Sequence, residues 1–138
     1  MPLKLIAVQG MTVITDPTTT IPPLFPNVVA TIVVAPPTGI KNKGENKLVH
    51  RDGDQITVSA ITVPAAGATI PDPASYTVPL NATALKTKAE GVLVLRQDDQ
   101  SDLISATPQI PSTPDPIDYP VSFKCKISVA GQIKSKAQ

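Results

Sequence analysis

One histidine, one cysteine and a small group of aspartates are the residues of this chain best suited to chemistry at neutral pH. His50 could act as a general base or metal ligand, and Cys125 as a nucleophile or metal ligand. A closed metal site needs about four good ligands, and a nucleophilic cysteine needs a neighbour that stabilises its thiolate. Neither is evident around these two residues. We therefore expect no catalytic residue, no metal, no cofactor and no enzymatic activity.

The aspartates fall in two short polar segments, "DGDQ" and "DDQSD". Clustered carboxylates are typical of calcium sites, but these segments lack the length and the final glutamate of an EF-hand loop. Aspartate is also common in turns, where its carboxylate accepts hydrogen bonds from nearby amides. We interpret as turn residues Asp52, Asp54, Asp98, Asp99 and Asp102. By the same reasoning, His50 is predicted to be a partly exposed residue beside a turn.

One phrase of the sequence occurs twice. "LVHRDGDQ" at 48–55 and "LVLRQDDQ" at 93–100 share five of eight positions, and the offset is 93 − 48 = 45 residues. An apolar pair followed by a polar turn predicts a strand-turn element in each copy, with Gly53 at positive φ. Asp98 stands at the corresponding position, and aspartate also tolerates that conformation. Coincidence between two unrelated hairpins remains the alternative.

Composition limits the class of protein. The 138 residues suit one domain, and 17% charged residues with a net charge of +1 give no indication of a nucleic-acid partner. A single cysteine excludes an intramolecular disulfide. No apolar run approaches the roughly 18 residues of a membrane span or resembles a signal-peptide core. We expect synthesis in a host cytoplasm without a signal peptide.

The 16 prolines and the many valines and isoleucines indicate an all-β fold. Proline breaks helices, whereas β-branched residues favour strands and are rare in disordered chains. We predict a small single domain of short strands with long proline-rich loops, cone-like or β-sandwich-like. It spans residues 1–138, and residues 1–40 belong either to its core or to an extended arm. The predicted strands are 3–8, 11–15, 27–34, 47–50, 55–63, 75–78, 83–89, 91–96 and 120–129.

The last strand has the clearest alternation. One face is predicted to be buried and the other to be polar, because successive side chains of a strand point to opposite sides. The predicted buried face is Val121, Phe123, Cys125, Ile127 and Val129. Between the strands, the proline-rich segments 16–26, 35–39, 64–73 and 107–120 are predicted to be stiff, extended connections.

Three segments carry a resemblance to a known family. "LVHRDGDQI", "KAEGVLVLRQDDQ" and "SVAGQIK" resemble the PAAR and PAAR-like proteins at the tip of phage contractile tails and related injection systems. The resemblance implies a small β protein that docks on a trimeric spike protein and leads it through an envelope. Members typically hold a metal at the apex with several histidines and a cysteine. This chain has one of each, so we do not expect that site here.

The function expected from this resemblance is structural. The chain would belong to a phage tail or contractile injection apparatus, at the central spike tip or baseplate, within the virion. Its partners would be a trimeric spike or other baseplate proteins, with transient contact to a host envelope and no small-molecule substrate. The alternative is a β-sandwich binding module: a carbohydrate-binding, adhesin or capsid decoration protein. Such surfaces usually expose aromatic residues, and the chain has four, Phe25, Tyr76, Tyr119 and Phe123.

A first prediction concerns metal content. We expect the purified protein to carry no stoichiometric zinc or iron, because one histidine and one cysteine do not complete a closed site. Elemental analysis of the purified protein measures this directly. One metal per chain, lost when His50 or Cys125 is replaced, would contradict the expectation.

Overall fold

The computed structural model describes residues 4–21, 28–38, 43–44, 47–84, 87–89, 91–132 and 136–137. Side chains are described in these ranges except at 17–21, 43–44 and 136–137. The strands are β1 (Lys4–Leu5), β2 (Thr12–Ile21), β3 (Val29–Val34), β4 (Lys43–Gly44), β5 (Lys47–Leu48), β6 (Gln55–Thr62), β7 (Tyr76–Asn81), β8 (Lys88–Ala89), β9 (Val92–Leu93), β10 (Gln100–Ser101), β11 (Ile104–Ala106), β12 (Gln109–Ile110), β13 (Ile117–Asp118), β14 (Val121–Val129) and β15 (Lys136–Ala137).

The fold is all-β, as predicted: one small domain built around a nearly closed sheet. Its order is β11-β14-β10-β7-β6-β3, and β2 pairs with β14. Every pairing in this sheet is antiparallel. The two outermost strands, β2 and β3, lie side by side and are tied by the Thr15 hydroxyl, which donates to the Val28 carbonyl at 2.9 Å. The sheet thus curls almost into a barrel, with its apolar side chains inside.

The interior of this sheet is filled by aliphatic side chains around one aromatic residue, Phe123. Phe123, Ile56, Leu80 and Ile127 are fully buried. The first forty residues contribute to the same core through Ala7, Met11, Val13 and Val28. Burial of this apolar surface is the main favourable term for folding.

The alternation predicted for the last strand is found over most of β14. Val121, Phe123, Cys125 and Ile127 are buried. The prediction is wrong for Val129, which is 54% exposed. The register against β2 shifts between Ile127 and Val129, and such an irregularity breaks the alternation of side chains at the strand end.

Two proline-rich segments contain more strand than predicted. β2 continues to Ile21, so the connection predicted at 16–26 begins later; residues 22–27 lie outside the described part. The segment 107–120 contains the pair β12–β13, with Ile110 opposite Ile117. Proline is compatible with the strands at a sheet edge, where its missing amide donor is not needed. The short strands β10 and β11 were missed because they carry too few apolar residues for an alternating pattern.

Helix contributes little to the part of the chain that the structure describes. One 3₁₀ turn, Pro64–Ala66, lies in the connection between β6 and β7. None of the described segments forms a helix long and apolar enough to cross a membrane.

A second prediction tests the core assignment of β14. Phe123→Ala should lower the free energy of unfolding by about 3–5 kcal/mol, because it removes the largest buried side chain and leaves a cavity. Lys126→Ala, on the opposite face of the same strand, should change it by about 0.5 kcal/mol or less. Denaturant melts of both variants give the comparison. A silent Phe123→Ala beside an unfolded Lys126→Ala would mean that the strand is one residue out of register.

Candidate functional site

Each copy of the repeated phrase forms a strand-turn element, as predicted. In the first copy the Asp54 amide donates to the Arg51 carbonyl at 3.0 Å, and Gly53 has φ +89°. In the second copy the Asp99 amide donates to the Arg96 carbonyl at 3.1 Å, and Asp98 has φ +74°. The turn needs a residue in the left-handed region, which glycine adopts freely and aspartate tolerates.

The structure adds a third copy that the sequence analysis missed. The segment "LIAVQGM", residues 5–11, makes the same turn: the Met11 amide donates to the Val8 carbonyl at 2.9 Å, and Gly10 has φ +91°. The offset to the next copy is 48 − 5 = 43 residues. Within 5–11 only Leu5 and Gly10 are identical to their counterparts in the copy at 48–54, which is too little to recognise from sequence.

The three copies are joined by a cycle of backbone hydrogen bonds. The Ala7 amide donates to Leu95 at 2.8 Å, the Leu95 amide to His50 at 3.0 Å, and the His50 amide to Ala7 at 2.9 Å. Because each copy donates to one neighbour and accepts from the other, the cycle has approximate threefold symmetry. We call Ala7, His50 and Leu95 the ring.

A second cycle joins the same three copies, with donation in the opposite direction around the ring. Its donors are the amides two residues after each ring position, and all three bonds measure 2.8 Å: Gln9 to Leu48, Asp52 to Leu93 and Gln97 to Leu5. Three isolated β-bridges follow the same rotation, joining Val8 to Val49, Arg51 to Val94 and Ile6 to Arg96. The symmetry therefore extends through whole strands and turns, beyond one set of contacts.

Each copy begins with a short two-stranded pair, and the partner strand of the first copy comes from late in the sequence. A two-residue strand precedes the second and third copies and pairs with the start of each: β4 with β5 and β8 with β9. For the first copy the corresponding strand is β15, from the end of the sequence, which pairs with β1. The leucines that begin the copies, Leu5, Leu48 and Leu93, lie opposite Lys136, Lys43 and Lys88 in these pairs.

Two buried aspartates fix the turns of the second and third copies. Asp54 accepts from the Arg51 amide at 3.0 Å and from the Thr38 hydroxyl at 2.5 Å. Asp99 accepts from the Arg96 amide at 2.8 Å and from the Thr83 hydroxyl at 2.5 Å. In each case the guanidinium group of the arginine donates to the same threonine. Met11 holds the corresponding position in the first copy, where the Val8 amide donates instead to the Ala130 carbonyl at 2.9 Å.

His50 does not lie where the sequence analysis placed it. It is 1% exposed, and its Nδ1 lies 2.8 Å from Asp54 Oδ2, so the prediction of a partly exposed histidine is wrong. Its place in the ring turns the side chain inward. Burial raises the pKa of Asp54, but hydrogen bonds from His50, Thr38 and the Arg51 amide outweigh burial and hold that pKa below its usual value.

Cys125 is buried, and burial raises the pKa of its thiol to about 12, partly offset by a hydrogen bond with Ser101. A thiol with such a pKa is protonated at neutral pH and is a poor nucleophile. Nowhere in the described ranges do three His, Cys, Asp or Glu side chains form a group that could hold a metal ion.

The remaining aspartates of the two phrases make local contacts. Asp52 accepts from the Ala82 amide at 2.7 Å, and Asp102 accepts from the Asn81 side chain at 2.7 Å. Asp98 lies 3.9 Å from the Lys4 amine in a surface ion pair. These contacts are those of turn and edge residues.

Comparison of the chain with models of protein families, with curated proteins and with solved structures finds no match.

A third prediction follows from the lowered pKa of Asp54. The stability contributed by its carboxylate is present above the unfolded-state pKa of about 4 and is lost as the pH falls through the lower folded-state value. Asp54→Asn should cost about 2 kcal/mol or more at pH 7, because it weakens several buried hydrogen bonds at once. Its unfolding free energy should also depend less on pH below about 4.

Asp115→Asn is the matched control, because Asp115 is exposed. Its unfolding free energy should stay within about 0.5 kcal/mol of the parent protein at pH 7. Denaturant titrations of the three proteins between pH 2 and 7 provide the data. Parallel pH curves for Asp54→Asn and the parent protein would show that Asp54 is not the group responsible.

Proposed function

We propose that this chain is a structural protein of a phage tail or related contractile injection apparatus, at the central spike tip or baseplate. It docks on a trimeric spike protein and helps that spike pierce an envelope. The observation that carries the proposal is the approximate threefold symmetry of the ring, within a single chain.

Symmetry is the reason for choosing a trimer as partner. A trimer presents three identical surfaces around an axis, and a single asymmetric chain would engage them unequally. A chain with three similar strand-turn copies offers three similar surfaces around its own axis. Gly10, Gly53 and Asp98 are exposed at the three turns, so each copy presents comparable backbone to a partner.

A mechanical role also fits the way the ring is held together. Its backbone bonds lie among residues that are almost entirely excluded from water: Ala7, His50, Leu95 and the flanking Val8, Val49 and Val94 are each at most 6% exposed. Pairing of β1 with β15 ties the two ends of the chain together. Force along the axis would therefore be spread over three sets of strands at once.

The proposal places the protein in the virion and assigns it no reaction. Partner recognition would take place between protein surfaces, and contact with the host envelope would be transient. Two of the three segments that carry the family resemblance contain the shared phrase "LVxRxxDQ", which forms the second and third copies around the ring.

A binding module remains the second candidate from the sequence, and the aromatic residues give it less support. The Tyr76 hydroxyl donates to Asp72 at 2.6 Å. This hydrogen bond raises the pKa of Tyr76 to about 12 and holds its aromatic side chain in place. Tyr119 is partly buried against the core, and Phe123 is fully buried. Phe25 lies outside the described residues.

The fourth prediction is a stoichiometry. Coexpression with the trimeric spike protein encoded in the same genome should give a complex of one chain per spike trimer, measured by native mass spectrometry. A threefold-symmetric surface on one chain fills all three positions of the trimer and leaves none for a second copy. Amide exchange should slow together at the three turns, around residues 8–11, 51–54 and 96–99.

Three chains per trimer would mean that each chain uses an ordinary local interface and that the symmetry plays no part in docking. Protection at one turn alone would lead to the same conclusion. Absence of any complex with the spike protein would contradict the proposed function itself.

A further inference from the structure

One cavity lies beside the ring, between the first and second copies. It is lined by the first turn at residues 9–11, by residues 34–37 at the end of β3 and just after it, and by His50. Its volume of about 260 Å³ is below the roughly 300–1,000 Å³ of pockets that hold drug-sized ligands. The cavity therefore has room for one side chain or a molecule of that size.

The side chains along the cavity walls are mainly apolar. They are Met11, Val34, Ala35, Pro36 and Pro37. No Asp, Glu, Lys or Arg is among the described residues that line the cavity. Gly10 and Pro36 are exposed, so the cavity opens at the protein surface. Such walls favour an apolar occupant and disfavour a charged one, because burying an unpaired charge is costly.

The buried polar side chain in the cavity wall is His50, which is 1% exposed. Its amide and carbonyl are used in the ring, and its Nδ1 lies 2.8 Å from Asp54 Oδ2. The other nitrogen, Nε2, makes no hydrogen bond with any residue that the structure describes. Nε2 is not completely enclosed by protein, so the cavity gives an occupant access to it.

Asp54 determines which kind of group Nε2 can bind. Burial raises the pKa of Asp54, but hydrogen bonds outweigh burial and hold that pKa below its usual value, so the carboxylate is ionised at neutral pH. An ionised carboxylate only accepts hydrogen bonds, so Nδ1 of His50 carries a hydrogen and donates to it. In the neutral imidazole this leaves Nε2 as an acceptor. The cavity thus presents one buried acceptor to a donor on its occupant.

This acceptor occurs at one of the three ring positions. The residues that correspond to His50 are Ala7 and Leu95, whose side chains have no hydrogen-bonding group. The chain contains no other histidine. The first turn, at Gly10, is therefore the turn that lies beside a buried imidazole acceptor.

We propose that this cavity binds the side chain of a tyrosine from a partner protein. Its aromatic group packs against Met11, Pro36 and Pro37, and its hydroxyl donates to Nε2 of His50. Water would satisfy the nitrogen but leave the apolar walls solvated. An aliphatic side chain would cover the walls but leave the nitrogen without a donor. A phenol group meets both requirements.

The depth of His50 favours tyrosine over tryptophan. The cavity opens at exposed Gly10 and Pro36, whereas His50 is almost fully buried. The donor must therefore lie at the tip of the entering side chain. Tyrosine carries its hydroxyl at the tip, whereas the indole N–H of tryptophan lies on the edge of its aromatic group.

The choice of a partner protein as the source of the tyrosine rests on the proposed function. Gly10 lines the cavity and is one of the three exposed turn residues that we propose to face the spike trimer. A trimer would offer three identical tyrosines around its axis, and the chain would bind one of them. The chain would then sit on the trimer in any of three equivalent rotations, each fixed by one tyrosine.

The fifth prediction tests the cavity with p-cresol, which has the phenol group of tyrosine. His50 is the only histidine, so its imidazole gives a single set of NMR signals in untagged protein. p-Cresol should shift these signals saturably. Toluene and 4-methylanisole, which have no hydroxyl hydrogen, are the matched controls. Both should bind about three- to tenfold more weakly, because one hydrogen bond is lost.

Three results with these ligands would overturn the proposal. One is the absence of any shift with p-cresol, and another is equal affinity for p-cresol and both controls. The third concerns 3-methylindole, the side-chain analogue of tryptophan, which should bind more weakly than p-cresol. Tighter binding of 3-methylindole would assign the cavity to tryptophan.

The protein side is tested by filling the cavity. Ala35 lines it, so Ala35→Phe puts an aromatic group into the space that p-cresol occupies and should weaken p-cresol binding about tenfold or more. Ala74→Phe is the matched control, because Ala74 is exposed between β6 and β7, and should leave the affinity unchanged. Equal effects of the two variants would overturn the proposal. The ligand comparison uses the parent protein, so it decides the matter even if Ala35→Phe does not fold.

The source of the tyrosine is tested in the complex with the coexpressed spike protein. There the His50 signals should shift as they do with p-cresol, and added p-cresol should cause no further change. A complex that still binds p-cresol would overturn the choice of a partner tyrosine and leave the docking itself intact. Absence of a complex would contradict the proposed function, and a preference for p-cresol would then assign the cavity to a free phenolic ligand.

Discussion

The cycle of three backbone hydrogen bonds through Ala7, His50 and Leu95 is the constraint on which the rest of the structure depends. These residues are distant in sequence, and the cycle closes only when all three strand-turn copies meet at one axis. The cost of bringing them together is chain entropy, which is offset by burial of the surrounding valines and leucines.

The buried aspartates beside the ring specify the conformation of the turns. Asp54 and Asp99 each accept from the amide that their turn leaves unpaired, and each is held by a threonine that an arginine also contacts. Fully satisfied networks of this kind favour one arrangement, since any shift leaves a buried carboxylate without donors. The first copy solves the same problem with Ala130, a backbone carbonyl from the far end of the chain, and needs no carboxylate.

The three copies are similar but not identical. The three exposed turns suit a partner with a threefold axis, as the proposed docking on a spike trimer requires. The first copy differs after its strand: Pro36 and Pro37 have no amide hydrogen, whereas the Ala82 amide of the second copy donates to Asp52.

The sequence by itself determined the all-β class, the two strand-turn copies at 48–55 and 93–100, and the buried face of β14 from Val121 to Ile127. These depend on residue type and on alternation, which are local properties of the chain. Only the tertiary structure decided the third copy at 5–11, because backbone bonds define it and almost any side chains can make them. It also decided the burial of His50 and the partner of Ala35. His50 lies against Ala7 and Leu95, 43 and 45 positions away (50 − 7 and 95 − 50), and Ala35 bonds to Gln55, 20 positions away (55 − 35), so no pattern within one segment encodes either contact.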